Sequence, residues 1–215
     1  MFLHELQGPL GNVIASLELL AFEIPPDSTN SPLSAMLDIA RRSSRRLETI
    51  IHSLRDIYRL DVAQPILEQN RTSMFELINQ AYQIERMNFE YRRVQFDNKL
   101  LPNIPDILVE EDMVRRVLTN LLNNILRYSS ENQRINISSQ TQQNRNNLLI
   151  KIANQESDIP KQVRKMIFEE KDADTKGSDL ALIFCRLAIE AHGGHLWIED
   201  EPPSGVRFCF TLPLA

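Results

Sequence analysis

The sequence predicts an α+β chain in two parts: a helical hairpin that forms a dimeric four-helix bundle, followed by an α/β sandwich. Two observations predict it. Apolar residues in the first 62 positions alternate at spacings of three and four, and from about residue 65 the pattern changes to short strand-like runs between helical ones.

Leu3, Leu6, Leu10, Val13, Leu17 and Leu20 make a heptad seam on the first helix. Leu33, Leu37, Ala40, Ser44, Leu47, Ile51, Leu54 and Tyr58 repeat it on the second, broken only by Ser44. The segment from Ile24 to Pro32, with Pro25-Pro26 in it, cannot stay helical, and Ser31 supplies a cap before Pro32. A two-helix hairpin cannot bury both seams by itself. A second copy covers them most simply, which predicts a homodimer through residues 1–62; packing on the rest of the same chain is the other solution.

After residue 62 the elements follow in order. Pro65 to Gln69 and Val94 to Asn98 read as strands flanking a helix from Met74 to about Tyr91, with apolar residues at 75, 78, 81, 84 and 87. Ile107 to Val109 is a short strand leading into a helix from Glu111 to Tyr128. Arg134 to Gln140 and Leu148 to Ala153 are strands joined by a polar loop, and Leu180 to Ala191 is helical. Leu196 to Glu199 and Val206 to Leu212 form a last strand pair, turned through Pro202-Pro203-Ser204-Gly205. Helices on one face of a mostly antiparallel sheet make a second domain over residues 63–215, after a first over 1–62.

Composition excludes several functions. With 24 Lys+Arg against 29 Asp+Glu the net charge is −5, which argues against a nucleic-acid partner. The pairs Arg41-Arg42 and Arg45-Arg46 read as a solvated helix face. Six glycines stand at 8, 11, 177, 193, 194 and 205, so no P-loop or dinucleotide fingerprint fits between residues 12 and 176. Cys185 and Cys209 lie in apolar stretches, as buried reduced thiols of a cytoplasmic protein do. No apolar run approaches the roughly 20 residues of a membrane span, and the first four residues open no signal peptide, so no membrane contact is expected of these residues.

Two constellations carry chemistry. In the first, His4 follows the seam residue Leu3, so its ring is expected on the bundle flank. Glu5 beside it can take a proton from one ring nitrogen and leave the other nucleophilic. Gly8 gives the ring room one turn on, and Pro9 bends the helix there. An ordinary surface pair has the same spacing. In the second, Asn120 and Asn124 share one helix face, where side-chain oxygens can complete a hydrated Mg²⁺ that holds triphosphate oxygens, with Arg127 in reach of phosphate. A polar helix face without a ligand also fits that spacing.

The run His4-Glu5-Leu6-x-x-Pro9-Leu10, followed by a heptad hairpin and an α/β sandwich, resembles the sensor histidine kinases over nearly the whole chain. The resemblance implies a sandwich of the histidine kinase ATPase type. It implies that His4 accepts phosphate with Glu5 as base, then donates it to an aspartate of a response-regulator receiver domain. Val114 to Ser129 matches the family's N box, making Asn124 the Mg²⁺ ligand and turning Asn120 and Arg127 to phosphate. The family's adenine-binding Asp-x-Gly-x-Gly aligns with Asn154-Gln155-Glu156-Ser157-Asp158, so Asn154 stands where the family's aspartate accepts the adenine amino hydrogen. Ile167-Phe168-Glu169 matches the F box. Gly177-Ser178-Asp179-Leu180-Ala181-Leu182 stands for Gly-x-Gly-Leu-Gly-Leu, keeping Gly177 as the phosphate-side glycine.

The departures are specific. Gly8 replaces the polar residue that positions water for phosphatase activity, and Glu156, Asp158, Asp179 and Ala181 replace glycines beside the nucleotide. Three readings follow: a histidine kinase using ATP and Mg²⁺, a pseudokinase or histidine phosphotransferase that binds ATP poorly, and a dimeric interaction scaffold. The family's first helix runs several turns ahead of the histidine, so the chain reads as a fragment lacking a sensor region.

Overall fold

Helix α1 spans Phe2–Glu23 and α2 spans Pro32–Val62, in agreement with a break at the proline-rich segment. The computed structural model describes residues 2–23, 32–62, 66–101, 103–142, 146–154, 179–201 and 205–215. The chain divides into two units, Met1–Arg59 and Leu60–Ala215. Pro32 takes the first position of α2, where its missing N–H costs nothing. Pro9 lies inside α1, where it removes one helical hydrogen bond. Seam residues Leu10, Leu17, Leu37, Ile51 and Leu54 are half-buried, while Val13, Leu20, Leu47 and Tyr58 are each about half exposed or more. One copy of the chain therefore leaves part of its seam in water.

In the second unit, β1 (Asn70–Thr72) pairs antiparallel with β3 (Ile107–Val109). The expected strand from Pro65 to Gln69 is thus displaced. Ile66 is 96% exposed, and its apolar character buries nothing; the paired run is the polar Asn-Arg-Thr that follows. Helix α3 (Met74–Tyr91) opens with Ser73, whose hydroxyl accepts the Glu76 N–H at 3.4 Å. The expected stripe at three-residue spacing is corrected here. A spacing of 3.0 drifts off a face of period 3.6, so α3 buries Met74, Leu77, Ile78, Ala81, Glu85 and Phe89, and leaves Ile84 and Met87 exposed.

Strands β2 (Gln95–Asn98), β4 (Arg134–Gln142), β5 (Asn147–Asn154), β6 (His195–Glu201) and β7 (Gly205–Pro213) form one sheet in the order β2-β4-β5-β7-β6. All neighbours are antiparallel except β2 with β4. Strand register assembles an apolar face row by row: Ile137 opposes Ile152, which opposes Phe208, and Ile150 opposes Phe210, which opposes Leu196. Helices α3, α4 (Glu111–Arg127) and α5 (Asp179–Ala191) pack with the sheet, α4 lying against both α3 and α5. Each large side chain buried in that layer contributes roughly 1.5–3 kcal/mol.

Two features aim α4 and β5. Glu111 and Asp112 in the first turn of α4 and Arg127 in its last complement the helix dipole. Asn154 ends β5 in the same row as Ile135 and Val206, so an amide occupies a position the sheet otherwise gives to hydrocarbon.

Candidate functional site

One face of α4 meets α5. Arg116 lies with its guanidinium carbon 4.2 Å from the centre of the Phe184 ring, and Cys185 bonds to the side chain of Asn120 and to the Val117 carbonyl, the latter at 3.7 Å. Burial pushes the Cys185 thiol up to about 12, against the opposing effects of the Asn120 bond and the Arg116 charge. Asn124, one turn beyond Asn120, is 7% exposed. Its Nδ2 donates to the Asn120 carbonyl at 2.8 Å. That bond commits the amide nitrogen to the helix, so its oxygen is the atom with full capacity for a cation or a donor. Arg127 is exposed in the last turn, on the same side by helical spacing.

A second polar group lies at the end of β5. Asn154 is 1% exposed, and its Nδ2 donates to Ser129 Oγ at 2.7 Å and to Gln133 Oε1 at 2.8 Å. Ser129 Oγ donates in turn to the Ile125 carbonyl at 2.7 Å, and the Ser130 N–H donates to Gln133 Oε1 at 2.9 Å. The network joins the end of α4, the loop after it and β5.

The remaining residues singled out by sequence are described only in part or not at all. His4, Glu5 and Gly8 lie within α1, and their side chains are outside the described part. Gly177, Glu156, Asp158 and the F-box residues lie outside the described residues, and of Asp179 only its place at the start of α5 is described. Asn120, Asn124 and Arg127 are brought together on one helix, and Asn154 joins the end of that helix through Ser129. Sequence reasoning missed Ser129, Gln133 and Arg116. Ser129 carried a signal, as a small hydroxyl residue directly after an apolar helix; Gln133 in a polar loop carried none.

The described residues contain no three His, Cys, Asp or Glu side chains grouped to hold a metal ion. Among the described residues no helix is long and apolar enough to cross a membrane.

Comparison with known proteins gives consistent results. Residues 109–215 match the family model described as histidine kinase-, DNA gyrase B-, and HSP90-like ATPase, and residues 1–62 match the His Kinase A (phospho-acceptor) domain. The adaptive-response sensory kinase SasA of Synechocystis sp. is 23% identical over 222 residues, covering 100% of this chain and 58% of its own length. The alginate biosynthesis sensor protein KinB of Pseudomonas aeruginosa is 29% identical over 216 residues, covering 98% of this chain and 36% of its own. The chain thus spans about half or less of these two relatives. Among solved structures, full-length ShkA in complex with AMPPNP superimposes with a TM-score of 0.83 at 20% identity, over 100% of this chain and 45% of that one. ThkA in complex with the response regulator TrrA gives 0.66 at 22% identity, over 99% of this chain and 59% of that one. At such identities the two structures speak to the fold.

Proposed function

The chain belongs to the sensor histidine kinase family, and from that membership we propose that it is a protein-histidine kinase of two-component signalling. In this reading His4 attacks the γ-phosphorus of ATP through a ring nitrogen, ADP leaves, and the phosphoryl group passes to an aspartate on a response-regulator receiver domain. Glu5 takes the proton of the other ring nitrogen, which makes the attacking one nucleophilic. The AMPPNP bound to ShkA and the response regulator bound to ThkA support a nucleotide and a receiver as partners here too.

The observation that carries the proposal is the orientation of Asn124. Its nitrogen faces the Asn120 carbonyl and donates to it, which turns an oxygen of hard-cation chemistry the other way on a helix that also bears Asn120 and Arg127. Mg²⁺ held there supplies charge neutralisation for the triphosphate. Asn120 and Arg127 donate to phosphate oxygens, Asn154 faces the adenine, and Gly177 lets backbone approach the phosphates. The half-exposed seam residues Val13, Leu20, Leu47 and Tyr58 support a homodimer through residues 1–62. We place these domains, a phosphotransfer hairpin over 1–62 and an ATPase domain over 63–215, in the cytoplasm, where ATP and receiver domains are.

Incubation of the chain with labelled ATP·Mg²⁺, and separately with a phosphorylated receiver domain, tests the assignment. Acid-labile label from ATP on the wild type and its loss in His4→Ala are expected. Label acquired only from the receiver would make the chain a phosphotransferase, and label from neither source would leave a scaffold.

A further inference from the structure

Helix α3 ends in a closed turn, although the sequence has no glycine there. Arg93 takes φ +54°, the left-handed conformation usually left to glycine, and its N–H donates to the Glu90 carbonyl at 3.1 Å. The Val94 N–H reaches back to the Phe89 carbonyl at 3.0 Å, and both of these side chains are buried. This turn sets Arg92, the C-cap residue of α3, against the end of α4, where its Nη1 donates to the Leu126 carbonyl. That carbonyl lacks its regular helical partner. The donor four residues on, the Ser130 N–H, goes to Gln133 Oε1 at 2.9 Å; Leu126 receives instead the Ser129 N–H at 3.1 Å and the guanidinium. The last turn of α4, which carries Arg127, is therefore held from outside the helix. The neighbouring Arg93 does less for it: its ion pair with Glu131 at 3.3 Å joins side chains 71% and 64% exposed, where water screens the attraction.

We propose that Arg92 is a positioning residue that braces the last turn of α4 from α3, so that Arg127 meets the triphosphate of a bound nucleotide. This inference rests on the nucleotide-binding reading above. A charged donor suits the place. The C-terminal turn of a helix carries roughly half a negative charge, which opposes an approaching triphosphate. A guanidinium on the Leu126 carbonyl satisfies that oxygen and offsets the charge directly beside Arg127. Without it the turn frays from Leu126 onward, and Arg127 is the residue carried off. The base end of the site does not depend on this brace. Ser129 keeps its own bonds to the Ile125 carbonyl at 2.7 Å and to Asn154 at 2.7 Å, so the effect is confined to ligands that carry phosphate.

The test measures binding of two probes, ATP·Mg²⁺ and adenosine, to the 215-residue chain by ligand-detected nuclear magnetic resonance. Arg92→Met keeps the alkyl stem and removes the donor and its charge. It is expected to weaken ATP about tenfold, the effect of one hydrogen bond to a charged group, and to leave adenosine within about twofold of wild type. Arg92→Lys keeps a charged donor and is expected to recover most of the loss. Arg127→Ala is expected to weaken ATP by a similar factor, and adding Arg92→Met to it to weaken ATP no further, because a residue that acts through Arg127 then has nothing to position. Full additivity of the two substitutions would make Arg92 act on phosphate by itself, which overturns the inference. An Arg92→Met protein that binds ATP as wild type does overturns it too, as does one that loses ATP and adenosine alike, since the guanidinium then serves the fold alone. A wild type that binds neither probe overturns the nucleotide-binding reading, and the inference with it.

Discussion

The imidazole of His192 joins the end of α5 to the start of α4: its Nε2 accepts the backbone N–H of Glu110 at 3.0 Å, while Nδ1 donates to the Ala188 carbonyl at 2.7 Å. Glu110 is the N-cap residue of α4 and makes no side-chain cap of its own, so the histidine holds the first turn of the helix that carries Asn120 and Asn124. The arrangement requires the neutral ring protonated on Nδ1, because a protonated Nε2 cannot accept.

Stability is therefore expected to depend on pH through His192, and the sign follows from its titration. Burial lowers the folded-state pKa below 6.5, with the Ala188 bond and the Glu110 charge opposing. A lowered pKa means that the unfolded chain takes up the proton first. The contribution is full above about pH 6.5 and is lost as pH falls from there through the lowered folded value. Urea midpoints at pH 7.5 and 5.5 check this: the wild type should drop between them by more than His192→Gln. The variant should itself be about 1–3 kcal/mol less stable at pH 7.5, the usual cost of a buried N–H without its partner. Equal pH dependence in the two proteins would remove His192 from the account.

The turn just after His192 admits glycine alone. Gly193 has φ +75°, and a Cβ built on Gly194 meets the Thr211 carbonyl oxygen at 1.9 Å, backbone that cannot move without shifting β7. Gly194→Ala is expected to cost at least about 2 kcal/mol, well beyond the roughly 1 kcal/mol of an ordinary glycine replacement. Thermal denaturation measures the difference, and a variant within 0.5 kcal/mol of wild type, roughly the scatter of surface substitutions, counts against the close approach.

These cases also show what the sequence made legible. The span of α3 from Met74 to Tyr91 is the one its pattern predicts, and α4, α5 and the four long strands agree within two residues, because each has a strong period and punctuated ends. The short strand near residue 70 was misplaced, since Pro65-Ile66-Leu67 looks like strand by composition whereas pairing with β3 selects the polar Asn70–Thr72. The same limit applied to the site. Asn120 and Asn124 declared themselves by spacing on one helix, but the partners of Asn154 come from 25 and 21 residues away. Their relation exists only once β4 and β5 are in register.

Both cysteines should be unreactive in the folded protein. Burial pushes Cys185 and Cys209 each up to about 12, so at pH 8 about one thiol in ten thousand is the reactive thiolate. A chromogenic disulfide reagent should titrate no thiol in native buffer and two in 8 M urea, a concentration of roughly the strength used to unfold small domains. Rapid stoichiometric labelling of either cysteine in native buffer contradicts its burial.

The exposed seam residues lead to an expectation about assembly. Leu47 and Tyr58 lie on heptad positions of α2 and are more than half exposed in one copy. Covering each in a bundle gains roughly 1.5–3 kcal/mol, and every side chain counts twice in a symmetric dimer. The wild type is expected to sediment as a dimer at micromolar concentration and Leu47→Glu/Tyr58→Glu as a monomer, since the variant would bury four carboxylates in the seam. A monomeric wild type would show that these positions are covered in some other way.

Asn124 separates the metal-dependent part of nucleotide affinity from the rest. If its oxygen completes the Mg²⁺ shell, Asn124→Ala should lower ATP affinity about tenfold or more with Mg²⁺ present and change little when the cation is chelated, because only the bridging contact has gone. The same substitution removes the bond from Nδ2 to the Asn120 carbonyl, but that carbonyl already accepts the helical N–H of residue 124, so the helix keeps its regular bonding. Asn124→Asp keeps an oxygen and adds charge. It should therefore retain Mg²⁺-dependent binding, and it should bind ATP without Mg²⁺ more weakly than the alanine variant does, since an unscreened carboxylate then faces the triphosphate. Titrating ATP into all three proteins at several Mg²⁺ concentrations gives the comparison. An alanine variant that loses equal affinity with and without the cation would move Asn124 from the metal to the phosphates.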